Sequence, residues 1–201
     1  KDLNKMIQYA SKENIFTFLS TNFSKKYTDE YLYDLMKSGL SILHIDLDGI
    51  DSSSYLKYRV GGNFEVLIEN IKKVVSIKKE LGLKYPIIKT HFMVMKHNEK
   101  DIDASMKFAE NLGVDEHTIG NIQVNPNTSS NWLPENSDYV YDSYETEVVS
   151  AKTCSWLYSS LVINSNGSIS PCCIVFDDKA NFGNIFVNSL EEIRNNDYYK
   201  S

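Results

Sequence analysis

Two hydrophobic periods alternate along the first 124 residues. Leu3, Met6, Ile7 and Ala10 fall at i, i+3, i+4 and i+7, which predicts an amphipathic helix over residues 2–13. The run IFTFLS (15–20) is short, apolar and rich in β-formers, and predicts a buried strand ending at Thr21-Asn22. Thr28 is placed to cap the next helix, with Asp29 and Glu30 in its positive first turn and Gly39 just past its end. SILHIDL (41–47) reads as a second strand, stopped by Asp48-Gly49. Phe64, Leu67, Ile68, Ile71 and Val75 mark a long helix ending near Gly82. After Pro86, IIKTHFMVM (87–95) reads as a third strand. Ile102, Met106 and Ala109 mark a further helix closed by Gly113, and TIGNIQV (118–124) a fourth strand.

Strands alternating with helices imply βαβ crossovers, hence an α/β fold with a parallel sheet and helices packed outside it. Ligands of such sheets sit beyond the carboxyl ends of the strands. The informative positions are therefore Thr21-Asn22, Asp46 to Gly49 and His97-Asn98. Past residue 124 the pattern stops. Residues 125–152 are rich in Asn, Ser, Pro, Asp and Tyr and read as a linker or long loop. Then Asn166-Gly167, between the β-like runs SLVIN and SISP, signals a hairpin. Ser189 and Glu192 form a capping box for a short helix. The division expected is 1–124, 125–152 and 153–201.

Composition narrows the function classes. A formal charge of -6 argues against general affinity for nucleic acid or an anionic membrane surface. Lys72, Lys73, Lys78 and Lys79 recur at helical spacing and read as a solvated helix face. No apolar run reaches the roughly 20 residues of a membrane span, and no signal peptide is visible. Three cysteines, an odd and low count, do not suggest a secreted disulfide scaffold; a reducing, cytoplasmic compartment is expected.

The cysteines carry the first candidate chemistry. Cys172 and Cys173 are adjacent, and Cys154 lies eighteen residues before Cys172, across the hairpin. Converging thiolates there suit an iron–sulfur or zinc site, whereas the plain alternative is three small buried hydrophobes. A cubane cluster usually takes four cysteines, so three would leave the site incomplete within these residues. His44, His91, His97 and His117 all lie in the βα part, and His91, alternating with Phe92, reads as a wall or core residue. Asp46 and Asp48 are two apart on a strand and face one side, near its carboxyl end. They could hold ribose hydroxyls or an amino group, or simply form a turn. Arg59 offers a fork for a carboxylate, or is a surface helix arginine. Trp132, Tyr139, Tyr141 and Tyr144 could line a sugar or peptide site, or pack a loop.

Taken together, FLSTN, GLSILHIDLDGIDSSSYLKYRVGGNFEVLIENI, PIIKTHFMVMKHNE and CSWLYSSLVINSNGSISPCC with FGNIFVNSLEEIRNN resemble the radical S-adenosylmethionine (SAM) enzymes that carry a C-terminal SPASM or twitch-type auxiliary cluster domain. The resemblance implies a partial (β/α)6 TIM-like barrel, with strands three to six present, followed by a truncated SPASM-like region. The family's CxxxCxxC loop and GGEP-like motif are not in the sequence, and a mid-helix start without Met is expected to reflect truncation. The resemblance assigns SAM contacts to Thr21, Asn22, Asp46, Asp48, Arg59 and Asn98, and auxiliary-cluster ligation to Cys154, Cys172 and Cys173. Asp46 stands where the family usually has a serine, and would repel the methionine carboxylate of SAM. The implied cofactors are SAM and [4Fe–4S] clusters, the catalytic one outside this chain. The implied activity is that of an oxidoreductase or maturase that generates a 5'-deoxyadenosyl radical and abstracts hydrogen from a peptide, protein side chain or sugar. Its electron donor would be a flavodoxin or ferredoxin. The alternatives are a decayed barrel acting as a non-catalytic scaffold, and a zinc-binding interaction module.

Overall fold

A computed structural model describes residues 2–122, 130–140, 159–173, 175 and 177–200. The chain divides into two compact units, residues 1–143 and 144–201.

The first unit is built on a four-stranded parallel sheet of β1 (Phe18–Thr21), β2 (Ile42–Asp46), β3 (Ile87–Met93) and β4 (Glu116–Gly120), in the order β1-β2-β3-β4. Each strand lies beside its sequence neighbour, unlike a doubly wound sheet, whose strand order reverses at a switch point. The helices are α1 (Leu3–Lys12), α2 (Asp29–Lys37), α3 (Ser52–Tyr58), α4 (Phe64–Glu80) and α5 (Ile102–Leu112). Thr28 caps α2 as expected, its side chain accepting from the Tyr31 N–H. Asn63 does the same for α4 through Val66 N–H. The apolar stripe of α4 buries Leu67, Ile71 and Val74 completely, each such side chain contributing about 1.5–3 kcal/mol.

Burial alternates strictly along β2 and β3. Leu43, Ile45, Ile88, Thr90 and Phe92 point into the core with the helices. Their neighbours His44, Asp46, Lys89, His91 and Met93 are half-buried on the other, open face.

The structure moves several expected boundaries. β1 begins at Phe18 rather than Ile15; Asn14 turns the chain in the left-handed region (φ 56°), and Ile15 and Phe16 are exposed. β3 stops at Met93 because the Asn98 side chain takes the Met95 N–H. β4 runs from Glu116 to Gly120 rather than over 118–124. Lys78 is not on a solvated face: its ammonium reaches Asp115 (2.6 Å) and the Pro86 carbonyl (2.8 Å), joining α4 to the start of β3. Within the expected linker, residues 130–140 pack on the sheet unit, Lys96 N–H bonding the Trp132 carbonyl and Ile122 N–H that of Tyr139.

The second unit contains the expected hairpin, β5 (Val162–Ile163) against β6 (Ser168–Ser170), with β7 (Gly183–Asn184) on the other edge of β6, all antiparallel. Gly167 supplies φ 82° at the turn. The capping box holds: Glu192 N–H bonds the Ser189 hydroxyl and Ser189 N–H the Glu192 carboxylate, opening α6 (Leu190–Asn195). A short α7 (Asp197–Lys200) follows.

Candidate functional site

The carboxyl ends of β1, β2 and β3 carry the residues singled out above. Phe23, just after β1, and Asp48, just after β2, both sit in the left-handed region (φ 49° and 43°). That conformation is costly for residues with a Cβ and persists only where the surroundings impose it. Two buried carboxamides do so. Asn70 on α4 donates to the carbonyls of Phe23 and Lys25, both at 2.8 Å. Asn98 donates to the Met93 carbonyl (3.0 Å) and that of Asp48 (3.4 Å) and accepts from Met95 N–H (2.7 Å).

β2 ends at Asp46, so Asp48 leaves the strand, yet both carboxylates reach Arg59 at the end of α3. Asp48 is fully buried and accepts from Arg59 Nε (2.7 Å), Arg59 Nη2 (2.5 Å) and Met93 N–H (2.9 Å). Burial pushes its carboxyl above the usual range, against the pull of the Met93 N–H and the guanidinium. Asp46 keeps about a fifth of its side chain exposed and lies 3.0 Å from the same Nη2. Arg59 is thus neither a surface arginine nor an unengaged clamp. It is bound to two carboxylates of its own chain and offsets one of their two negative charges. Thr21 accepts from Phe23 N–H through its hydroxyl, and Asn22 is exposed beside it. Asn98, by contrast, is fully buried with both ends of its carboxamide engaged.

The open face extends from Asp46 across the sheet. His44 lies 3.6 Å from Asp46 through Nε2. Phe18, His44 and His91 form a ladder of rings across three strands, with 5.3 Å between successive centroids. His91 is the register partner of both Asp46 and Thr118, and its Nδ1 is 3.1 Å from the Thr118 hydroxyl. Burial, and then the neighbouring His91, hold His44 below the usual histidine range, so its imidazole is neutral near pH 7. His91 is therefore not a core residue. Sequence reasoning weighed His44 and His91 without joining them to the strand-end site and passed over Thr118 and Asn70; the signal that joins the three strand residues is register, since neighbouring strands share one alternation of faces. The rim continues through Tyr58, with Arg59 over its ring (5.1 Å) and Trp132 edge-on to it, and through His97, whose Nε2 donates to the Ser54 carbonyl (3.2 Å).

In the second unit Cys172 is half-buried and Cys173 exposed, both as free thiols. Cys154 lies outside the described residues. No group of three or more His, Cys, Asp or Glu side chains spaced to hold a metal occurs among the described residues. Next to the thiols the hairpin is a polar network: Asn164 donates to the hydroxyls of Ser168 (3.0 Å) and Ser170 (2.7 Å), and Ser170 donates to Asn181 (2.9 Å). No helix of the described residues is long and apolar enough to cross a membrane.

Residues 154–201 match the SPASM family, an iron–sulfur cluster-binding domain. Over 120 residues the chain is 28% identical to the tungsten-containing aldehyde ferredoxin oxidoreductase cofactor-modifying protein of Pyrococcus furiosus, covering 58% of this chain and 33% of that protein. Among solved structures, Streptococcus suis SuiB bound to S-adenosylmethionine superposes with a TM-score of 0.68 at 16% identity, over 98% of this chain and 52% of SuiB. The anSMEcpe structure with bound AdoMet and the Kp18Cys peptide gives 0.58 at 12% identity, over 98% of this chain and 63% of that one. The chain thus spans a third of the curated relative and about half of SuiB. These comparisons bear out the resemblance drawn from the sequence, to radical SAM enzymes with a SPASM-type auxiliary cluster domain.

Proposed function

We propose that this chain supplies the SAM-facing sheet and the auxiliary-cluster region of a radical SAM maturase acting on a peptide, protein side chain or sugar. The carrying observation is the arrangement at the end of β2. Asp46 is held at the strand end, about a fifth exposed, with Arg59 at 3.0 Å. A carboxylate so placed accepts hydrogen bonds from a ribose hydroxyl or an ammonium group. Arg59, shared with Asp48, offsets one of the two negative charges and so reduces the repulsion of a ligand carboxylate by an aspartate where the family usually has serine.

Thr21, Asn22 and Asp46 would contact SAM directly. Asp48, Arg59 and Asn98 would hold the strand ends in place for it. Bound SAM, with a reduced cluster, supplies the 5'-deoxyadenosyl radical; the chain's residues orient it and exclude water. The free thiols of Cys172 and Cys173 suit an iron–sulfur cluster by donor type, with Cys154 as a further ligand. In this reading the sheet is part of a (β/α)6 barrel, the compartment is the cytoplasm and a flavodoxin or ferredoxin supplies electrons. The anSMEcpe complex with a peptide supports a peptide substrate above a sugar. The CxxxCxxC motif is not among these 201 residues, so the chemistry is that of a polypeptide that carries it, and this chain alone should not cleave SAM.

The test is anaerobic reconstitution, with iron and sulfide, of a longer polypeptide that joins this chain to its CxxxCxxC segment, followed by spin-resonance spectra and assay of 5'-deoxyadenosine. Cluster signals with SAM cleavage are expected. A colourless protein holding stoichiometric zinc would defeat the reading in favour of an interaction module. Cluster-free protein that binds substrate without cleaving SAM would defeat it in favour of a scaffold.

A further inference from the structure

His91 is oriented with more care than a wall residue needs. The Thr118 hydroxyl lies 3.1 Å from His91 Nδ1 and 3.4 Å from the Thr90 carbonyl, which can only accept. One hydroxyl hydrogen cannot serve both contacts. When the hydroxyl turns to the carbonyl, its oxygen accepts from Nδ1, an arrangement that favours the Nδ1–H tautomer and leaves the Nε2 lone pair bare. Nε2 has no partner among the described residues, and it is not a buried orphan atom. The ring lies over Gly120. A Cβ added at Gly120 would sit 2.1 Å from Cε1 and 2.4 Å from Nε2 of His91. Any other residue at position 120 would therefore expel the imidazole from this pose. Asp46, the register partner of His91 on β2, lies beside it on the same open face.

We propose that His91 is the proton-accepting side chain of this face, taking a proton through Nε2 from a hydroxyl, thiol or amide N–H of the bound substrate, and that Thr118 and Gly120 hold it for that task. The X–H bond breaks with its electron pair left on X, the Nε2–H bond forms, and Asp46 is placed to balance the resulting imidazolium. Nδ1 stays on Thr118 throughout, so the ring need not turn. His91 is then a catalytic residue and Thr118 a positioning residue. The inference rests on the radical SAM reading for its substrate class, one whose conversion releases a proton next to the attacked carbon. The tautomer itself does not depend on that reading.

Two measurements test it. Long-range imidazole nitrogen–proton spectra of the full chain, with no cofactor added, should show the Nδ1–H tautomer for His91. Thr118→Val should abolish that preference and Thr118→Ser restore it. In the reconstituted longer polypeptide that carries the CxxxCxxC segment, His91→Gln should lower product formation by about 100-fold or more while 5'-deoxyadenosine is still released from SAM. Thr118→Val, which leaves the imidazole in place, should show a smaller loss of the same kind. An Nε2–H tautomer in the wild type overturns the proposal, as does a well-folded His91→Gln variant forming product at the wild-type rate. If the wild type itself releases no 5'-deoxyadenosine, the radical reading fails, and the spectra still decide the orientation of His91.

Discussion

The two units are held by different physics. In the sheet unit, a continuous core of fully buried Leu32, Leu43, Ile45, Leu67, Ile71 and Phe92 supports the strands, and the charged groups at the strand ends stand on that foundation. Among the described residues of the C-terminal unit only Ile169 and Ile193 are buried apolar side chains. Its order comes from the turn at Gly167, the capping box on α6 and the amide–hydroxyl network around Asn164. Small units with little core are commonly stapled by disulfides or metals. The sheet unit holds a buried ion pair within its core, whereas the described residues of the C-terminal unit rely on a turn, a cap and side-chain hydrogen bonds.

The largest expected effect strikes the sheet unit. Asp48→Ala removes a fully buried carboxylate and leaves Arg59 Nε and the Met93 N–H without their acceptor, with only Asp46 still facing the guanidinium. Breaking a buried pair from one side costs about 3–5 kcal/mol. Denaturant unfolding should record that loss, and SAM binding should weaken with it because Arg59 no longer has a fixed place. An unchanged unfolding midpoint would mean that water replaces the carboxylate, and that the sheet unit is less dependent on this pair than its geometry implies.

A smaller loss is expected from Gly167→Ala. At φ 82° an alanine carries a left-handed penalty of about 1–2 kcal/mol. The added Cβ would also approach the Phe186 ring at 2.5 Å, a side chain that is 77% exposed and can swing away, and Asn184 Oδ1 at 2.8 Å, which is held by the Phe186 N–H. The backbone penalty and the displacement of Asn184 should act together. Backbone amide exchange would speed up in residues 162–170 and stay unchanged across β2 and β3. Protection lost in both units would break the contrast between them.

Cys172→Ala sharpens the comparison from the other side. The thiol contributes little packing, so the metal-free protein should change by no more than about 0.5 kcal/mol. After reconstitution, iron content and the stabilisation gained with it should both fall. A variant that retains full iron would remove Cys172 from the ligand set.

How much of this was legible in the sequence differs between the units in the same way. The 3.6-residue period located α1, α4 and α5, cap residues located α2, and short apolar runs bounded by turn residues located the four strands, because burial and capping leave those local marks. The turn and the capping box of the C-terminal unit were equally plain, because each depends on local chemistry. What periodicity could not convey was α3, a short serine-rich helix whose capping comes from Asp51 and Ser54. Nor could it convey the destination of Arg59, which depends on where α3 ends relative to β2. The open face was the larger omission. His44 and His91 lie 47 residues apart, and only the register of β2 on β3 brings their rings to 5.3 Å.

The smallest effect is also the one that most directly separates the units by pH. Burial holds His44, His97 and His117 below the usual histidine value of 6.5, and all three belong to the sheet unit. His117 shows why. It lies between the Thr90 hydroxyl, 2.8 Å from Nδ1, and the Ser105 hydroxyl, 3.2 Å from Nε2. Ser105 donates to the Ile102 carbonyl, so it accepts from Nε2–H. Burial, and then the neighbouring His91, disfavour the charged form of the ring. Below pH 6.5 the unfolded chain binds protons that the folded sheet unit refuses, and stability rises with pH wherever the unfolded state holds more protons. The melting temperature should therefore be level above about pH 7 and fall by a few degrees as pH drops through about 6.5. Replacing His117 with Gln, which keeps one donor and one acceptor, should flatten part of that slope. Near-ultraviolet signals from the sheet unit should follow the slope, whereas amide exchange in the Asn164–Ser170 hairpin, which contains no histidine, should not.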